Sequence, residues 1–397
     1  MIVTTEISIA AGLTSRPVTP FYAEFLDEKK RKLAEILLDY VVVFSIAVVG
    51  VITNILVIAV YAKQGFRESV AVSMTTISVW DLIKCLAGVL ERFSGILSAW
   101  DPVSAYTWAN IGTVVFNYLI CFSSYVTSVM AAYVAVERCL CVSVPLKVKW
   151  LLTPRITLTA CLVISMSVFG CFAVIFGIYD IVWEWSATFN ATVAVYQRNS
   201  FYIQHQDPLF KYYNLSGILW PLASFVVIVI ATAIIAYKLD QGSKFRVRKG
   251  NSFVETSFVK ERTSTFQNEA GATERKQKNM RMQQEQKLQK QQEQQQNLSK
   301  RDRQVVKMLL VIVIIYVVSL SPRISLYIAK YVIYDFYFLR RLHNLFEFVS
   351  HWLWVSDFFN GAVNFFVFYK MSSSFRSTFL SMFSRRKNSA SQISKSK

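Results

Sequence analysis

Residues 106–149 read YTWANIGTVVFNYLICFSSYVTSVMAAYVAVERCLCVSVPLKVK, and this stretch decides the class of fold. No Asp, Glu, Lys or Arg interrupts it between Tyr106 and Val136. Glu137 and Arg138 then arrive together, followed by Lys147 and Lys149. About 20 apolar residues in a helix suffice to cross the hydrocarbon of a bilayer, and the run is too long for a barrel strand. Its polar residues recur at helical spacing: Asn117, Cys121, Ser124 and Thr127 fall on one face. Such a stripe meets other helices, not lipid.

Working outward, six more runs share this character, so seven segments are predicted: 38–62, 68–92, 106–140, 155–178, 212–238, 304–333 and 342–370. The expected fold is an all-α membrane protein, a seven-transmembrane helix bundle. Hydrophobic residues make up 54% of the 397 positions and charged ones 17%, with 30 Phe, 19 Tyr and 9 Trp, which suits lipid-facing helices with aromatic belts. After the last segment Phe375, Phe379 and Phe383 recur every four residues among basic ones, predicting a short amphipathic helix on the inner membrane surface. The expected divisions are an extracellular 1–37, a seven-transmembrane domain 38–370 and a cytoplasmic 371–397.

The net charge of +18 is local, which argues against nucleic-acid binding. Between Lys238 and Lys307 stand 17 Lys and Arg against 8 Asp and Glu, and ten of the twenty residues 277–296 are Gln. That composition cannot build a core. It marks 239–303 as a long cytoplasmic loop, either a docking loop or a tolerated insertion. Lys63, Arg67, Arg138, Lys147, Lys149 and Arg155 lie on the same side, so the N-terminus is expected outside and the C-terminus inside. Lys29, Lys30, Arg31 and Lys32, ahead of the first segment, run against this and are outvoted. Asn190-Ala191-Thr192 and Asn214-Leu215-Ser216 are then external glycan acceptors, while Asn297 is internal. The opening MIVTTEISIAAG lacks the basic start of a signal peptide, so the first helix is expected to direct insertion. None of the six cysteines suggests a disulfide framework.

Ionisable and strongly polar groups at membrane depth are functional candidates by default. Asp81 and Lys84 sit three apart in the second segment, with Glu91 and Arg92 near its outer end. Asn54 lies in the first. Asp357, Asn360, Gly361 and Asn364 form one stripe of the seventh. Interhelical hydrogen bonding for stability alone remains the alternative for any single one. Lys84 needs a carboxylate, Asp81 locally or Asp357 across the bundle. Pro221 and Pro322 kink the fifth and sixth segments.

From about residue 40 to 384 the pattern resembles the rhodopsin-like (class A) G-protein-coupled receptors. The resemblance rests on GVITNILVI around Asn54, ISVWDL around Asp81, VAVERCLCVSVPLKVK around Glu137-Arg138, Pro322 in the sixth segment and NGAVNFFVFYKMSSSFRSTF closing the seventh. AKQGFRESV, ERCLCVSVPLKVKWLLTPRIT and VNFFVFYKMSSSFR look most like molluscan chemosensory-type receptors, themselves similar to invertebrate peptide receptors. The resemblance implies a plasma-membrane receptor that passes an external chemical or peptide signal to heterotrimeric G proteins, with arrestin and receptor kinases as further partners. Glu137, Arg138, Asp302 and Asn364 then fall on coupling and switch positions. Asp81, Thr127, Asn360 and Asn364 fall on positions that hold sodium in many relatives. Lys84 is placed to displace that ion, and no other cofactor is expected. Glu91, Asn117, Ser124, Arg323, Glu347 and His351 are the ligand-pocket candidates.

Several family features are missing. Thr113 stands where a disulfide cysteine is expected, Leu320 where a Trp switch is common, and Phe365 and Phe368 replace the Pro and Tyr of the seventh helix. Ile120 and Phe358 replace the amine-binding Asp and the retinal-binding Lys, so both of those ligand classes fail. A receptor-like protein that no longer signals is one alternative. A transporter moving a solute past Asp81 and Asp357 is another, though no inverted repeat supports it. No metal cluster, nucleophile–base set or phosphate loop points to an enzyme.

Overall fold

The computed structural model describes residues 26–144, 152–263, 311–330, 332–337 and 340–394. Its helices are α1 (Glu28–Gln64), α2 (Ser69–Leu97), α3 (Pro102–Ser143), α4 (Pro154–Gly177), α5 (Gln206–Thr263), α6 (Val311–Lys330), α7 (His343–Met371) and α8 (Ser373–Ser394). Between α4 and α5 lie β1 (Tyr179–Ser186), β2 (Ala191–Arg198) and a single helical turn, Ser200–Gln204. Among the described residues α1 to α6 each contain a stretch long and apolar enough to cross a membrane. The 29-residue α7 is more polar because its inward face carries Asp357, Asn360 and Asn364. The bundle is the expected one.

The helix α3 is its axis. Ser123, Ser124, Tyr125, Val126, Thr127 and Ser128 are buried in succession, so every side of the helix meets protein. Asp101 starts it by accepting from the backbone amides of Val103 and Ser104, both at 3.1 Å, with Pro102 in the first turn. Hydrogen bonds from Ser104 hold the Asp101 carboxyl below its usual range. On the other side of the bundle, Asn54 donates to Gly50 O and to Gly361 O, both at 2.8 Å, which locks α1 to α7. Gly50 also lets α2 pack closely on this stretch of α1, because a Cβ there would collide with the Cys85 sulfur.

Three expectations change. The helix α1 begins at Glu28, ten residues before the predicted 38, so the basic cluster is helical and not part of an extended tail. Two of its four charges are compensated locally: Arg31 is buried between Glu28 at 2.8 Å and Glu35 at 3.0 Å, and Lys32 lies 3.6 Å from Glu28. The stretch after α4, read as plain loop, is an antiparallel hairpin that pairs Tyr179 with Arg198 through Ser186 with Ala191. Its aromatic and β-branched residues favour strand, and Asn190 takes the left-handed turn at φ 48°. The helix α8 is also not simply a membrane-surface ridge. Phe375 is buried against Tyr61 and Phe368, and Phe379 packs on Phe365 and Tyr369, which leaves Leu380 and Phe383 exposed.

Candidate functional site

On the side of the bundle that carries the hairpin, the ends of α1, α2, α3, α6 and α7, with Tyr213 of α5, enclose a cavity of about 390 Å³. Two helices reach it through irregular turns. Ile36–Val43 of α1 and Thr113–Asn117 of α3 are wound as π-helix, a form frequent at functional sites. They bring Asp39 and Tyr40, and Thr113 and Asn117, into the wall. Arg92 of α2 organises the floor. Its Nε and Nη2 donate to Asp39 Oδ1 at 3.0 and 2.6 Å, and its Nη1 donates to Glu91 Oε2 at 3.2 Å. The ring of Phe358 lies beneath, 5.2 Å from the guanidinium. Phe358 in turn fits only because α2 carries Gly88, where a Cβ would strike the ring.

The opposite wall belongs to α6 and α7. Lys330 lies over the rings of Tyr327, Tyr337 and Phe346, at 5.1, 4.9 and 5.7 Å. Glu347, Ser350, His351 and Trp354 complete the lining. Among the described residues neither ring nitrogen of His351 has a hydrogen-bond partner.

Of the six sequence candidates for the pocket, the cavity takes in Glu91, Asn117, Glu347 and His351 but not Ser124 or Arg323. Those two line a separate void of about 10 Å³ deeper in the bundle, shared with Lys84, Thr127, Asp357 and Asn360. That space holds one water at most. Sequence reasoning missed Glu35, Asp39 and Lys330. Asp39 carried a usable signal, an acid inside the apolar run ILLDYVVV, but it looked like a boundary residue when the helix was started at 38. Lys330 at a helix end looks like any interfacial lysine.

Below the cavity the membrane-depth charges resolve into two pairs. Lys84 Nζ donates to Asp81 Oδ1 at 2.7 Å, both side chains fully buried, and Asn364 Nδ2 donates to Asp81 Oδ2 at 3.1 Å. Arg323 takes Asp357. Of the two carboxylates expected for Lys84, it takes the local one: Lys84 stays with Asp81, and Asp357 has its own cation. Gly361 makes room, since a Cβ there would sit 3.0 Å from the ammonium. Thr127 gives its hydroxyl to Ser124 O within α3. Arg323 also sits over the Tyr125 ring at 5.4 Å, and Tyr125 shares a 2.8 Å hydroxyl contact with Tyr327, which ties α3, α6 and α7 together.

At the opposite end of α3 Arg138 Nη2 donates to Glu137 Oε1 at 2.7 Å, and Ser69 of α2 donates to the same oxygen. Asp302 lies outside the described residues. Outside the bundle, Asn190 is exposed at the hairpin turn, whereas Asn214 is half-buried within α5.

The family model for serpentine type 7TM GPCR chemoreceptors, Srw, matches residues 41–266 and 280–386. Comparison with curated proteins yields no significant match. The family match covers most of the chain, from α1 through α8, and includes every helix that lines the cavity. It is a receptor family, not an enzymatic one. The chain is a multi-pass membrane protein that belongs to the Srw family of seven-transmembrane G-protein-coupled chemoreceptors.

Proposed function

We propose that this chemoreceptor takes an external chemical or short-peptide signal into the outer cavity and passes it to a heterotrimeric G protein at the inner end of α3. The observation that carries the reading is one helix bearing both sites. Thr113 and Asn117 stand in the cavity wall, and Glu137 and Arg138 lie about 30 Å further along the same helix. Glu91, Asn117, Glu347 and His351 contact the ligand. Ser124 and Arg323 act beneath it, where the Arg323–Asp357 pair joins α6 to α7. Repacking that pair lets α6 pivot at Pro322, and Arg138 leaves Glu137 to meet the G protein. Asp302 supplies the acid that favours the resting state. Arrestin and receptor kinases share the inner face. The receptor sits in the plasma membrane with its N-terminus outside. Lys84 occupies the cation position at Asp81, so no sodium ion is required there.

Arg138→Ala tests the coupling. The variant should reach the surface and lose G-protein activation, while Asp302→Asn should raise basal activity by a bias of about 1–3 kcal/mol. Unchanged signalling in Arg138→Ala would overturn the mechanism. A wild type silent toward every G protein would instead favour a receptor-like protein that does not signal.

A further inference from the structure

The charges of the outer cavity do not cancel, and their remainder has a pattern. Four carboxylates and two cations line it. Arg92 is committed to Asp39 and Glu91. Glu35 is held by Arg31 from outside the cavity. Among the described residues Glu347 and Lys330 make no ion pair, and they stand on the neighbouring helices α7 and α6. Phe346, next to Glu347 in the chain, is one of the rings beneath the Lys330 ammonium. Among the described residues the cavity thus presents one anion and one cation that no ion pair takes, around a shared aromatic wall, with Arg31 acting on Glu347 only at longer range.

A ligand cation alone would satisfy Glu347 and be repelled by Lys330; a ligand anion alone would do the reverse. A molecule carrying both charges satisfies both, and charge-assisted hydrogen bonds are the strongest such a site can offer. We infer that the ligand is a small zwitterion, with a primary ammonium facing Glu347 and a carboxylate facing Lys330. Size agrees: about 390 Å³ admits an amino acid or a dipeptide and excludes a long peptide from full burial. Trp354 and Phe346 supply apolar surface for a side chain. The anchoring lies on the α6–α7 side of the bundle, since α3 offers Asn117 and Thr113 but no charge.

This inference rests on the outer cavity being the ligand site, and direct binding separates it from the coupling mechanism. Full-length receptor in lipid nanodiscs would be screened by thermal shift against the twenty free amino acids, their C-terminal amides and their N-acetyl derivatives. The expected result is that at least one free amino acid stabilises the receptor, while its amide and its acetyl form bind at least about tenfold more weakly. In Lys330→Met the acid and the amide should bind alike. In Glu347→Gln the free and acetylated forms should bind alike. The comparison among ligands on the wild type stands even if either variant folds poorly. The inference is overturned if no free amino acid stabilises the receptor, or if amides or acetyl derivatives bind as tightly as the parent. Stabilisation without G-protein activation would support the ligand class and count against the coupling alone.

Discussion

At the scale of single residues, the pair with the most at stake is Lys84 with Asp81. Neither side chain reaches solvent, and an unpaired charge at this depth is costly even on the mildest insertion scales, about 2.5–3.5 kcal/mol. Removing one member of a buried pair strands the other, which typically costs about 3–5 kcal/mol. Lys84→Met should therefore depress surface expression and thermal stability, and adding Asp81→Asn should restore much of both. Cell-surface labelling and a detergent melting curve measure the two effects. A single variant as stable as wild type would show that Asp81 finds another cation. If Lys84 holds the cation position, agonist affinity should also ignore sodium at constant ionic strength. Arg323 with Asp357 is a second pair of the same kind, but it joins two helices, so its loss is expected to alter activation as well as folding. That Asp81 and Lys84 share a face was legible from their spacing of three. That Asp357 belongs to Arg323 was not, because the choice between two cations depends on how α6 and α7 are rotated against each other.

At the scale of elements, the hairpin β1–β2 is held without a disulfide. Its residue Ala194 is fully buried against the N-terminal end of α3, accepting from Asn110 Nδ2 at 3.0 Å and donating to Thr107 Oγ1 at 3.3 Å. Tyr106 and Phe189 meet beside it, their ring centroids 5.2 Å apart. The position where the wider receptor superfamily places a cysteine is occupied by Thr113, one turn below the contact. Asn110→Ala leaves a buried carbonyl unpaired, a loss of about 1–3 kcal/mol. Hydrogen exchange across residues 179–198 should accelerate in that variant with little change in α4 or α8. Equal protection in both proteins would mean that apolar packing alone seats the hairpin. The strands were missed in the sequence because polar residues such as Asp180, Glu184 and Gln197 interrupt an otherwise strand-like pattern, and loops between membrane helices carry no periodic signal of their own. The π-turns of α1 and α3 leave no sequence mark at all. They appear where packing forces an extra residue into a turn, and here they open the cavity.

At the scale of the whole molecule, orientation is the property that fixes every other assignment. We propose that the hairpin faces outward, and the two glycan acceptors then part company. Asn190 is exposed at the tip of a turn, whereas Asn214 is half-buried in a helix where an oligosaccharide transferase cannot seat an extended acceptor. Asn190→Gln alone should abolish the glycosidase-sensitive mobility shift, and Asn214→Gln should leave it intact. Sugar on Asn297 would reverse the topology. The amino-acid order by itself determined the class, the helix count, the polar stripes and the membership of the wider receptor superfamily. Those follow from hydrophobic length and from spacing along one helix, which are local quantities. The tertiary structure decided which charges pair, where the large cavity lies and that Ser124 and Arg323 stand outside it. Helix rotation and tilt set those distances, and in lipid they are fixed by close packing at glycines such as Gly50, Gly88 and Gly361, not by the apolar pattern that carries each helix into the membrane.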